Sequence, residues 1–150
     1  MDYFLITLLV IILLVIILPE NVCENEIDQW NKILLKNEEI KNKAKIVEYT
    51  ILNDIKTKED IIEKIKKLIF TLNDLSEQIL FFKNYVISSK NPLFYNNIKL
   101  LDNINRLYMM VNFKIIALTD TILFINNFKD ILNQEDKNRI KVFFVNNINF

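Results

Sequence analysis

The stretch Thr57–Ser89, TKEDIIEKIKKLIFTLNDLSEQILFFKNYVISS, decides the fold. Its apolar residues Ile61, Ile65, Leu68, Leu72, Leu75, Ile79, Phe82 and Val86 follow one another in an unbroken 4-3-4-3-4-3-4 spacing. That spacing keeps a single face of a 3.6-residue helix turned one way and is incompatible with the two-residue period of a strand. Thr57 stands where an N-cap belongs, and Glu59 and Asp60 sit where negative charge favours the helix dipole. Ile62, Ile69, Leu80 and Phe81 widen the stripe beyond a coiled-coil seam, which predicts a bundle core covered on more than one side.

The same rhythm continues on both sides. Upstream, Asn25 is a candidate cap for a helix over 24–56, whose seam runs Trp30, Ile33, Asn37, Ile40, Ala44, Val47, Ile51, Ile55. Asn37 interrupts it; a polar seam residue can fix register, but in so asparagine-rich a chain it is expected at the seam edge, in water. Downstream, Asn91–Pro92 reads as a cap followed by proline in the first helical position. From there Phe94, Ile98, Leu101, Ile104, Tyr108, Val111, Ile115, Leu118, Ile122 and Ile125 predict a helix reaching about Phe128. Within the 92–132 segment, Thr119-Asp120-Thr121 is the one place where it would divide into two, because those side chains compete for backbone hydrogen bonds; a continuous helix is preferred. Asn133 offers a last cap, with Glu135 and Asp136 behind it, for a helix over roughly 134–148 that presents Ile140, Phe143, Phe144 and Ile148. A lone strand over VFFVNNINF would have no partner.

The expected fold is therefore all-α: an antiparallel up-down bundle of three long helices and a short C-terminal helix, preceded by an N-terminal hydrophobic helix. Short connections at 56–57, 88–91 and 132–133 are expected to make successive helices antiparallel.

The hydrophobic segment is Tyr3–Leu18, YFLITLLVIILLVIIL, sixteen residues of which fifteen are apolar and none charged. As a membrane helix it spans about 24 Å, short of a hydrocarbon core of about 30 Å. As the apolar part of a signal peptide it is slightly long. Pro19 followed by Cys23 supplies a helix breaker and a small residue ahead of a candidate cleavage between Cys23 and Glu24. Residues 1–23 are accordingly read as a signal peptide or signal-anchor and 24–150 as the bundle domain. The less negative amino-terminal flank is expected to stay cytoplasmic, leaving 24–150 on the far side of the membrane. Leu107–Ile125 is also rich in apolar residues, but Lys114 and Asp120 would each cost about 2.5–3.5 kcal/mol near a membrane centre, so a core helix is expected there and residues 3–18 are the expected membrane contact.

Composition narrows the chemistry. The chain is 51% hydrophobic and 25% charged, which argues against a disordered tail, and has 19 basic and 19 acidic residues. Residues 24–150 carry 19 against 17, interspersed, and only Arg106 and Arg139 are arginines; a nucleic-acid partner is not expected. There is no glycine, so phosphate-cradling loops cannot be written. There is no histidine, which removes Ser–His and Cys–His pairs and His-containing metal sites. The single cysteine, Cys23, excludes an internal disulfide. These absences, with 17 lysines to two arginines, fit an AT-rich coding sequence and are not signs of selection.

Three chemistries remain. Glu38–Glu39 and Glu59–Asp60 are carboxylate pairs, but neighbours on a helix point about 100° apart and do not converge on an ion. The aromatics Trp30, Phe81, Phe82, Tyr85, Phe94 and Tyr108 fall at or beside seams, where core packing is their expected role. Cys23 is either removed with the leader or left to bridge to another chain. No catalytic, cofactor-binding or metal-binding residue is assigned. The expectation is a non-enzymatic secretory-pathway protein acting by protein–protein interaction or self-association. The alternative is a single-pass, membrane-anchored helical spacer or assembly subunit; a carboxylate-based enzyme is the remote third reading.

Overall fold

The computed structural model describes residues 20–89 and 98–148, and side chains from residue 27 onward. Four helices make up 89% of it, with no strand among the described residues: α1 Glu20–Asn53, α2 Lys58–Ser88, α3 Ile98–Ile125 and α4 Gln134–Ile148. The hydrophobic leader and the Asn91–Pro92 cap lie outside the described residues. The chain divides into a unit ending at Leu34 and one running from Leu35 to Phe150.

α1 starts at Glu20 rather than at a cap on Asn25. It ends without glycine: the Thr50 carbonyl accepts from both Asp54 N and Ile55 N, at 3.0 and 3.1 Å. Ile55 stays buried although it has left the helix.

α2 begins where its sequence says. Thr57 is extended and its hydroxyl accepts from Asp60 N at 3.3 Å. All eight seam residues are buried, as is Ile62. The widening residues behave differently: Ile69 is half-buried, whereas Leu80 and Phe81 are 40% and 70% exposed. The core takes a narrower strip of α2 than its apolar content predicts, because each neighbour covers only part of a helix's circumference. The helix closes on Ser89 in extended backbone (φ −67°, ψ 132°), a stop open to any residue.

α3 runs unbroken through Thr119-Asp120-Thr121. Both threonine hydroxyls donate to carbonyls four residues back, Ile115 O at 2.8 Å and Ala117 O at 2.7 Å, so they join the helix instead of ending it. It is long and apolar enough to cross a membrane by length and composition: its most apolar window reaches a mean hydropathy of 1.5. It stops at Ile125, earlier than expected, in tightened turns from Asn127 N to Phe124 O and Phe128 N to Ile125 O.

The connection 126–133 is longer than the two residues expected, because it pairs with the 54–57 connection. Lys58 N donates to Asp130 O at 2.9 Å and Leu132 N to Lys56 O at 3.0 Å, flanking an isolated antiparallel bridge between Thr57 and Ile131. The Lys58 ammonium donates to Phe128 O at 3.0 Å and lies 3.4 Å from the Asp130 carboxylate. Two loops are thus clasped by backbone bonds that would otherwise be left to water. Leu132, 6% exposed, plugs the clasp.

Asn133 caps α4 as expected. Its side-chain oxygen accepts from Asp136 N at 2.8 Å, and Asp136 accepts in return from Asn133 N at 3.3 Å. Ile140, Phe144 and Ile148 are buried, and Phe143 stacks on Phe124 of α3 at 4.1 Å.

Candidate functional site

Two features of α3 stand out: polar groups in its buried face and large apolar groups on its outer one. The buried face is Ile104, Leu107, Val111, Lys114, Leu118, Thr121 and Ile125. The sequence seam shares Ile104, Val111, Leu118 and Ile125 with it but named Tyr108, Ile115 and Ile122 as their companions. Those three are only half-buried. The core has chosen a face rotated toward Lys114 and Thr121, while the exposed Lys99, Asp102, Arg106 and Asp120 keep to the opposite side.

Lys114 is 7% exposed. Burial pushes its ammonium below the ordinary value of 10.5; Lys41 of α1 lowers it further, and Glu38 of α1 opposes both. Lys41 and Glu38 form their own ion pair at 3.0 Å. Two further polar residues are buried, Asn37 of α1 and Ser76 of α2. The Ser76 hydroxyl donates to Asn112 Oδ1 at 3.2 Å, while Asn112 Nδ2 donates to Tyr108 O at 2.8 Å. Both ends of the Asn112 amide are therefore committed. Asn37 is buried at 7% exposure rather than solvated at the seam edge, which corrects the expectation for it. The three long helices thus each place polar groups within the apolar interior.

An amine with a lowered pKa is a nucleophile only where a substrate can reach it. Three clefts among the described residues lie elsewhere. One of about 520 Å³ opens between α3 and α4, floored by Phe124, Val142 and Phe143. A second of about 410 Å³ beside it shares Phe124 and Arg139, whose guanidinium stands 5.1 Å over the Phe128 ring. A third of about 280 Å³ lies between α1 and α2 along Val47, Lys64 and Leu68. Lys114 lines none of them.

The residues singled out in the sequence are dispersed. Cys23 and Glu24 lie in the first turns of α1. Glu38 pairs with Lys41, Glu39 is exposed, and Glu59 and Asp60 form the first turn of α2. No group of three or more Cys, Asp or Glu side chains able to hold a metal occurs among the described residues. Of the aromatics, Phe82 is buried and Trp30 and Tyr108 are half-buried. Phe81 and Tyr85, at 70% and 40% exposure, depart from the core role expected for them. Phe94 is outside the described residues.

The outer face of α3 was missed. Met109, Phe113, Ile116 and Leu123, at 56%, 65%, 57% and 61% exposure, recur along it, with Met110 beside them. The only charges in the stripe from Arg106 to Leu123 are Arg106 and Asp120. The signal was present in the sequence as a helix with too many apolar residues for one seam.

Comparison of the chain with protein-family models, curated proteins and solved structures finds no match.

Proposed function

We propose that this chain is a non-enzymatic helical protein of the secretory pathway that acts by binding another protein. The observation that carries the reading is the outer face of α3, where large apolar side chains are held in water on a helix whose opposite face is packed. Scattered exposed apolar residues are normal, but a contiguous stripe on one rigid helix is the usual property of an interaction surface. An up-down arrangement supports it by making the stripe straight and rigid. Thr57 meets Ile131 and Ser76 meets Asn112, so position advances along α2 as it retreats along α3. Lys36 pairs with Asp74, while Lys43 shares a cleft with Lys67, which gives α1 the same relation to α2.

In this reading residues 1–23 are a signal peptide removed between Cys23 and Glu24, and 24–150 is the bundle domain on the non-cytoplasmic side. α3 is a bundle helix. Its packed face and the charges Asp102, Arg106, Lys114 and Asp120 favour that over a membrane span, which its length and composition alone would permit. The second reading, a membrane-anchored spacer or assembly subunit, is favoured by the unbroken apolar run of Tyr3–Leu18.

The mass of the protein isolated from its source separates the two. A chain beginning at Glu24 supports secretion. A full-length chain that resists carbonate extraction overturns it in favour of the anchor. Cross-linking in place, read by mass spectrometry, tests the binding role: adducts to protein through α3 support it, and their absence contradicts it.

A further inference from the structure

We infer that the outer face of α3 pairs with the same face of a second copy of this chain, antiparallel, about a two-fold axis at Phe113. The inference rests on the protein-binding reading and names the partner.

The argument is one of charge complementarity. Arg106 lies seven residues before Phe113 and Asp120 seven residues after it. Seven residues are nearly two full turns, so the three share one face, with each charge about 10 Å from the central ring along the axis. In an isologous pair every residue n positions before the axis meets the residue n positions after it on the other copy. Arg106 then meets Asp120 of the second copy twice over, Phe113 meets itself, and Met110 meets Ile116. All are exposed. Half-buried Ala117 falls opposite Met109, a small residue facing a flexible one that fills gaps.

A parallel pair would set Arg106 against Arg106 and Asp120 against Asp120, so like charges oppose that alternative. An acyl-chain surface would give the same charges no counter-charge. On its own helix Arg106 already pairs with Asp102, at 3.2 Å with both exposed; the guanidinium carries five donors and serves both carboxylates. Leu123 falls opposite exposed Asn103, so the paired stripe runs over 103–123 and is about 31 Å long. That is a small interface, so a weak, concentration-dependent dimer is expected.

The test uses the full chain. Its mass is measured by light scattering in mild detergent from low to high concentration, beside Phe113→Glu, Arg106→Asp, Asp120→Arg and the Arg106→Asp/Asp120→Arg exchange, with circular dichroism confirming unchanged helix content. The expected result is a concentration-dependent dimer that Phe113→Glu abolishes and either single reversal weakens about tenfold, with the exchange restoring it. Detergent is controlled for in membranes: with Cys23→Ser, Phe113→Cys should form a disulfide-linked dimer under mild oxidation, since the axis residue meets its own copy. A monomer throughout with no cross-link overturns the inference, as does a dimer indifferent to Phe113→Glu or an exchange that fails to restore pairing. Binding to neutral phosphatidylcholine vesicles lost in Phe113→Glu, without dimerisation, also overturns it and makes lipid the occupant. A monomer whose α3 is cross-linked in place to a different protein overturns this inference alone, whereas a monomer with no protein adduct through α3 overturns the broader reading with it.

Discussion

α2 and α3 lie against each other, and both are long helices rich in Ile and Leu, yet the core accepts the whole predicted seam of only one of them. α2 alternates apolar stripe with lysines and glutamates, and the core accepts the whole predicted seam. α3 has apolar residues around its full circumference. The bundle buries Lys114 and Thr121 while leaving Phe113 and Ile116 in water. A helix is oriented as much by the residues that refuse burial as by those that seek it. On α3 the exposed Lys99, Asp102, Arg106 and Asp120 keep to the outer side, and contacts with α2 and α4, including the Phe124–Phe143 stack and the Ser76–Asn112 hydrogen bond, set the remaining rotation.

Substitutions that compare the two helices should rank accordingly. Leu72→Ala on α2 and Leu118→Ala on α3, both 0% exposed, should each lower stability to denaturant by about 2–5 kcal/mol. Ile115→Ala, expected from the sequence to be equally damaging, should cost less than half as much, and Phe113→Ser should stay within about 0.5 kcal/mol. Equal losses at Leu118 and Ile115 would return α3 to the orientation its sequence suggests. Thr57→Ala and Asn133→Ala should each cost about 1 kcal/mol by removing caps at the starts of α2 and α4. Smallest is Lys36→Ala: its pairing with Asp74 is partly exposed, so about 0–1 kcal/mol is expected.

Much of the fold was legible because periodicity and capping are local. Thr57 and Asn133 announce their helices, and the α2 seam sets its own face. What was not legible depends on residues far apart in sequence. The clasp between the 54–57 and 126–133 connections joins two stretches of backbone, and backbone bonds leave no trace in side-chain pattern. The burial of Asn37 depends on α1's neighbours. The outer stripe of α3 was visible only as surplus, since a count of apolar residues does not tell which side of a helix is left over.

The claim that α3 turns Lys114 inward is tested most directly by the stability of the wild-type chain and Lys114→Met as pH rises from neutrality to about 10.5. In the folded chain the ammonium releases its proton below the ordinary value; unfolded, it holds the proton to about 10.5. Between the two the unfolded state binds more protons, so stability increases with pH. Its neighbours Lys41 and Glu38 are common to both chains, and subtracting one curve from the other isolates Lys114. The account predicts that the wild type gains stability relative to the variant as pH rises. Parallel curves would place Lys114 in water and contradict it.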